Sequence, residues 1–350
     1  MGRSHVALWI AAMALAACAT PGIDYEARIM PTAPEAAQLR NVSVDPFDGP
    51  AGRWYTARLE QVLASAQFDG QRWFNVAGTG PSHDSASGVY TGFVDIVDVD
   101  EYHSERREKR CVQRNTEGRC IRQQDIIEYC VTTTVDVAAF IEIKNPETGE
   151  PIFSSAYPGS ASDYTCDDYV ASNNSFGIGR ALRSFADSPF GHSDGRGGSG
   201  SAGALVRRAL ADTLGPIRRD VAPLNATVRA EFVTKPIDPA VKADSRFKEA
   251  IRLAKNDPFA SCELWSQLGE TYPDAPSVTH NLGACSEAAG DYASAQNLYS
   301  QASDLASTTP EGYEVFEKMT SSLSTIATRT SDVESLQQLT GDNIPGAPES

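Results

Sequence analysis

Apolar and polar positions follow two regimes along the chain. From residue 40 to 233 they alternate in strand-like stretches with a few helical ones between, and from residue 244 only helical spacing remains. Asn41–Phe47 ("NVSVDPF") alternates as a first strand, Gly52–Gln67 carries Trp54, Leu59, Val62 and Leu63 at helical spacing, and "RWFNVAG" is a short strand through Trp73, Phe74 and Val76. The order strand–helix–strand predicts a right-handed crossover if the two strands are parallel. "GVYTGFVDIVDVDEYH" predicts a long strand whose buried face is Val89, Thr91, Phe93, Asp95, Val97 and Val99. "DIIEYCVTTTVDVAAFIEIKN" predicts a second long strand, "NPETGE" (Asn145–Glu150) a tight reversal, and "PIFSSAYPGSASDYTC" an antiparallel return. A short helix is expected over Phe176–Phe185, a flexible Gly/Ser-rich loop over Gly191–Gly203, then an amphipathic helix through Leu205, Val206, Ala209, Leu210 and Leu214, and a last strand, Ala226–Val233. Strands with helices among them, followed by helices only, make the fold class α+β with a small all-α domain at the end.

The N-terminus has its own pattern. Arg3 precedes the apolar run Val6–Ala17, which has the length of a signal-peptide core and is too short to span a bilayer. It ends in Leu15-Ala16-Ala17-Cys18, which matches the bacterial lipobox. That motif implies a diacylglycerol on the Cys18 thiol, cleavage before Cys18 and acylation of the new amine with a chain such as palmitate. Several acyl chains anchor firmly where one is marginal. Ala19 in place of Asp after the cysteine implies sorting to the outer membrane. Residues 1–17 are read as the signal peptide and 18–39, with Pro21, Pro31 and Pro34, as a tether.

At 350 residues, two domains are expected, and no later apolar run approaches a transmembrane length. The formal net charge is −16, and losing Arg3 leaves 29 basic against 46 acidic residues; such a chain repels nucleic acid. Cys111, Cys120, Cys130, Cys166, Cys262 and Cys285 remain after Cys18, an even number that implies disulfides in an exported protein. No CxxC occurs and the histidines are scattered, so no metal site is assigned. If the hairpin folds about residue 148, Cys130 lies opposite Cys166, and Cys111–Cys120 closes a loop over Asn115–Gly118. Sequence leaves the other pairings among these four open. Arg106–Arg122 is locally basic and reads as a solvated hairpin tip or a docking site for an acidic partner.

"NVSVDPFDG", "LEQVLASAQFDGQRWFNV", "GVYTGFVDIVDV", "VDVAAFIEIKNPETGEPIFSS" and "GALVRRALADTL" together resemble the curli-secretion lipoproteins and the related penicillin-binding-protein activator lipoproteins over Arg40–Val233. The resemblance implies a mixed sheet with helices against it (residues 40–233). After a linker (234–243), residues 244–330 resemble tetratricopeptide repeats. Leu282, Gly283, Gly290, Ala295, Tyr299 and Ala302 match the consensus, Trp265 and Pro273 take the corresponding places one period earlier, and Phe247–Lys255 would open that unit. Thr309–Arg329 would close the array, and residues 331–350 are read as a largely disordered tail. Cys262 and Cys285 would then face each other on neighbouring helices, and the concave face with Asn281 and Ser286 would be the partner-binding surface.

No HExxH motif occurs, and no residue is assigned a catalytic role. The glycine-rich loop has no preceding strand and no GK[ST], so it is not a phosphate loop. Asp163, Asp167 and Asp168 lack calcium-loop spacing, and His103, His192 and His280 have no evident partners. The expectation is a non-catalytic, periplasm-facing lipoprotein without cofactor, anchored in the outer membrane and binding another envelope protein. The Cys111–Cys120 segment is too charged to face lipid as a barrel strand. Two alternatives are a homo-oligomeric component of a curli-like export apparatus, and a small-ligand or glycan-binding module.

Overall fold

The computed structural model describes residues 20–77, 86–168, 199–307 and 313–341. Two compact units emerge: Pro31–Pro223, and a second formed by the chain up to Met30 with everything from Leu224. The first element, β1 (Gly22–Ile29), belongs to the second unit.

The sheet unit opens with a single helical turn, α1 (Pro34–Ala37), then β2 (Asn41–Val44) and α2 (Gly52–Ala64). A small hairpin, β3 (Gln67–Phe68) and β4 (Gln71–Arg72), precedes β5 (Asn75–Ala77). Three long strands follow: β6 (Gly88–Arg114), β7 (Cys120–Lys144) and β8 (Pro151–Asp168). Helix α3 (Ser199–Val221) ends the unit. The five-stranded sheet has the order β5-β2-β6-β7-β8. β2 runs parallel to β5 and β6, and β6, β7 and β8 are antiparallel, so the sheet is mixed as expected.

Helix α2 buries Tyr55, Leu59 and Leu63, one turn apart each, which is the single apolar stripe a surface helix needs. In α3 the stripe is Leu205, Val206, Ala209, Leu210, Leu214 and Ile217. The hydroxyls of Tyr55 and Thr213 meet at 2.9 Å between the two helices. At the C-terminal end of α3 the Arg218 guanidinium donates to the carbonyls of Ala222, Pro223 and Gln67, tying the helix end to the turn that follows it and to β3. Asp220 accepts from Tyr157 of β8 and from Thr32, fastening the helix to the sheet.

The reversal at Asn145–Glu150 sets the register of the long strands. Asn145 Oδ1 accepts from the Glu147 amide, Gly149 takes the left-handed conformation at φ 72°, and its amide donates to the Asn145 carbonyl. The strands then pair so that Cys130 faces Cys166, and the two form a disulfide. Cys111 and Cys120 are also bonded, across the irregular end of the β6–β7 hairpin, as are Cys262 and Cys285.

Four expectations are corrected. The helices cover the face of β6 bearing Tyr90, Val94 and Ile96, not the one bearing Phe93 and Val97. A register shift between Ile96 and Asp98 then turns Val99 inward and leaves Val97 64% exposed. The tether contains a strand: Ile23, Tyr25 and Ala27 are buried between exposed Asp24 and Glu26, an alternation that the surrounding prolines masked. The glycine-rich segment is helical from Ser199, because α3 gathers its last residues. The tail is helical through Thr340, with Val333 and Leu336 buried. Phe176–Phe185 and the tail from Asp342 lie outside the described residues.

In the second unit β1 pairs antiparallel along its whole length with β9 (Leu224–Glu231). The linker includes a short helix, α4 (Pro239–Ala243), followed by α5 (Ser245–Leu253), α6 (Pro258–Thr271), α7 (Pro276–Ala288), α8 (Tyr292–Ser307) and α9 (Tyr313–Thr340). Pro, Asp or Gly punctuates each junction: Asp238, Asp244 and Asp257 cap three helices with their carboxylates. Helices α7 and α8 approach closely because Gly283 has no side chain. A Cβ there would lie 2.8 Å from the Tyr299 ring.

Replacing Gly283 with valine should therefore lower unfolding stability by about 1–3 kcal/mol in urea titration. Replacing Cys130 and Cys166 together with alanine should lower it by about 2–4 kcal/mol.

Candidate functional site

The partner surface expected on the helical unit is already filled by the chain itself. Asn281 on α7 is fully buried. Its Oδ1 accepts from the Val233 amide at 2.8 Å and its Nδ2 donates to the Val233 carbonyl at 3.0 Å. One side-chain amide thus satisfies both backbone groups of a residue that leaves the β1–β9 ladder. Beside it, Phe232 packs edge-on against Trp265 at 5.3 Å, and Phe247 meets the same indole at 5.0 Å. Asn281 is consequently closed to a partner, and Ser286 is half-buried on the same helix.

The neighbouring polar groups are also turned inward. Glu287, 3% exposed, accepts from Tyr25 Oη of β1 at 2.5 Å and from Tyr299 Oη at 2.6 Å. Burial and the adjacent carboxylate raise both tyrosine pKa values, so each hydroxyl stays a donor. His280 lies under Tyr299 at 4.8 Å and contacts Ser322 Oγ at 3.0 Å. Desolvation lowers its pKa to about 4. This is a histidine held neutral for packing, and no carboxylate is hydrogen-bonded to it among the described residues. Asp163 lies on β8 opposite Thr133. No group of three or more His, Cys, Asp or Glu side chains among the described residues could hold a metal ion. Cys18 and His192 lie outside the described residues.

Exposed apolar surface is concentrated elsewhere, on the long strands. Nine of the ten exposed large hydrophobic side chains among the described residues are on β6, β7 and β8: Phe93, Val97, Tyr102, Val112, Ile121, Ile127, Tyr129, Phe140 and Tyr164. Phe93 and Phe140 stack with ring centres 4.5 Å apart on the face the helices leave bare. Further along that face, Tyr102 and Tyr164 flank Thr132 across three strands. Among the described residues the β7–β8 pairing runs to Glu128↔Asp168, and the β6–β7 pairing continues to the disulfide-closed tip.

Charge interleaves with these side chains. Between Arg106 and Arg122 there are seven basic and two acidic residues, against −16 for the whole chain. Arg110 pairs with Glu128 at 2.8 Å on one face. Register puts Arg106, Glu108 and Arg110 on one face of the ribbon and Glu105, Arg107 and Lys109 on the other. Neither face is the uniform apolar band that a lipid-embedded strand presents. Aromatic, isoleucine and arginine side chains together are the composition of a protein-binding surface. The sequence pattern pointed to the basic tip, but the apolar alternation on β6 was assigned to the core, and that hid the exposed apolar face.

No protein-family model matches the chain, and no curated protein matches it.

Asn281→Ala should cost about 2–4 kcal/mol of stability, since it strands a buried amide and a buried carbonyl together. His280 gives a pH signature. Below pH 6.5 the unfolded chain takes up a proton that the folded ring refuses until about pH 4. Stability contributed by the neutral ring is therefore complete above pH 6.5 and declines as pH falls toward 4, by up to roughly 3 kcal/mol. In chemical denaturation the stability gap between wild type and His280→Gln should narrow between pH 7 and pH 4.

Proposed function

We propose that this chain is a non-catalytic lipoprotein, anchored through acylated Cys18 in the outer membrane and facing the periplasm, that binds an envelope protein as an adaptor or regulator. The binding surface in this reading is the β6–β7–β8 ribbon. The observation that carries it is that nine of the ten exposed large hydrophobics among the described residues, interleaved with arginines, lie on three adjacent strands, with Phe93, Tyr102, Phe140 and Tyr164 on one face and Ile127 and Tyr129 on the other. Large exposed apolar patches in soluble chains mark interaction sites. Three disulfides fit an oxidising compartment such as the periplasm. The lipobox at Leu15–Cys18 supplies the anchor. The sheet unit is read as curli-secretion-lipoprotein-like and α5 to α9 as tetratricopeptide-like; the Gly283–Tyr299 contact between paired helices supports the latter. Because Asn281 is bonded to Val233, the helical unit is not given the partner surface in this reading.

A second reading, a homo-oligomeric part of a curli-like export apparatus, draws on the length of β6 and β7, 27 and 25 residues. β8 is an edge strand of 18 residues, to which another copy could add a strand. Charges on both ribbon faces favour the adaptor.

Photo-crosslinkers placed in cells at Tyr102, Ile121 and Ile127 should yield one discrete adduct with another protein, and those at Gln61 and Gln301 should not. Equal labelling at all five positions overturns the ribbon assignment, and adducts made only with a second copy favour the oligomer. Ile121→Ser with Ile127→Ser should cut the adduct at least tenfold while changing stability by no more than about 0.5 kcal/mol each, since both side chains are exposed. Cys18→Ser should move the protein out of the membrane fraction; continued sedimentation with membranes would contradict the acyl anchor.

A further inference from the structure

The sheet unit contains a cleft of about 420 Å³ lined by Arg40, Arg72, Trp73, Phe74 and Asn75, with Ala64 at one wall. It forms where β2 and β5 begin side by side. Their parallel pairing sets Asn41 against Asn75, and the Asn75 amide donates to the Arg40 carbonyl at 2.7 Å. Trp73 is fixed on three sides. Its indole N–H donates to the Ala37 carbonyl at 3.1 Å, its backbone amide donates to the Ala66 carbonyl at 2.8 Å, and Phe68 packs edge-on at 5.7 Å. The Arg40 guanidinium carbon lies over this ring, 3.4 Å from its centre. One of its N–H groups donates to the Trp73 carbonyl at 3.1 Å.

Stacking covers a face of the guanidinium but leaves most of its in-plane donors uncommitted. Neither Arg40 nor Arg72 has a carboxylate within ion-pair distance among the described residues. Two arginines without acidic partners in one concavity are unusual in a chain of net charge −16. A stacked guanidinium in a cleft that a second arginine also lines can hold an oxyanion by paired hydrogen bonds. Ala64, Phe74 and Val76 supply apolar wall for a small carbon body. The volume lies within the range of small-ligand pockets.

We propose that the cleft between the start of β2 and strands β4–β5 is a binding site for a small molecule or chain end bearing an oxyanion, carboxylate or phosphate, held between Arg40 and Arg72. The site is independent of the ribbon, so it stands whether or not the adaptor reading does.

The test uses the full-length protein purified in detergent, titrated by calorimetry with three probes: N-acetylphenylalanine, its neutral amide, and inorganic phosphate. The expected result is binding of at least one anion, with the amide at least tenfold weaker. Binding of N-acetylphenylalanine points to a carboxylate source, and binding of phosphate alone points to a phosphorylated one. Arg72→Ala should weaken the anion at least tenfold; Arg72 is exposed, so this variant keeps its fold. Arg40→Lys keeps the charge but loses the planar fork, and should weaken it several-fold. Equal affinity for the acid and its amide, unchanged affinity in Arg72→Ala, or no binding of any probe overturns the proposal.

Discussion

Backbone pairing along β7 is the constraint on which the sheet unit depends. This strand has a neighbour on each side, β6 along nearly its whole length and β8 along most of it. A one-residue change of register would move side chains between a face packed by helices and a face left bare. The Asn145–Glu150 reversal fixes that register. It puts Cys130 against Cys166, brings Tyr157 to Asp220 at the end of α3, and aligns Val135, Val137, Ala139 and Ile141 under the helices. Phe140, one residue out of phase with that inner row, is thereby forced onto the bare face, where it stacks with Phe93.

The helical unit meets the same requirement differently. A strand laid against helices has backbone groups that no ladder reaches, and burial without partners is costly. Asn281 supplies those partners for Val233, while Glu287 joins β1 to α8 through two tyrosine hydroxyls. Neighbouring residues of one helix, His280, Asn281 and, two turns on, Glu287, so convert a helix face into a socket for the chain's own strands. Polar side chains on α7 are there to complete the core, and this makes the helical unit a poor place to seek an exchangeable peptide.

Among the described residues, most of the exposed large apolar side chains lie on the sheet unit. Its bare face and ribbon carry the apolar surface, and its β2–β5 corner carries the paired arginines. The two features differ in kind: exposed apolar side chains spread along the long strands, and an open cleft lined by two arginines. Each arises from strand geometry, since side chains alternate across a sheet and parallel strands bring their starting residues together at one end.

Local sequence patterns determined a good deal here. Apolar spacing placed α2, α3 and the helices after residue 244, turn chemistry at residues 145–150 placed the hairpin, and arithmetic about that turn paired Cys130 with Cys166. These succeed because helical period, turn residues and antiparallel register are short-range properties of the chain. Tertiary structure alone decided which face of β6 is buried, because Val89–Val99 is apolar in both phases and only the covering helices, with the bulge after Ile96, select one. It also decided that Gly22–Ile29 is a strand, since its hydrogen-bonding partner lies about two hundred residues away at Leu224–Glu231. The buried role of Asn281 followed from that same long-range pairing, which delivers Val233 to it, and the Arg40–Trp73 stack from the joining of β2 to β5.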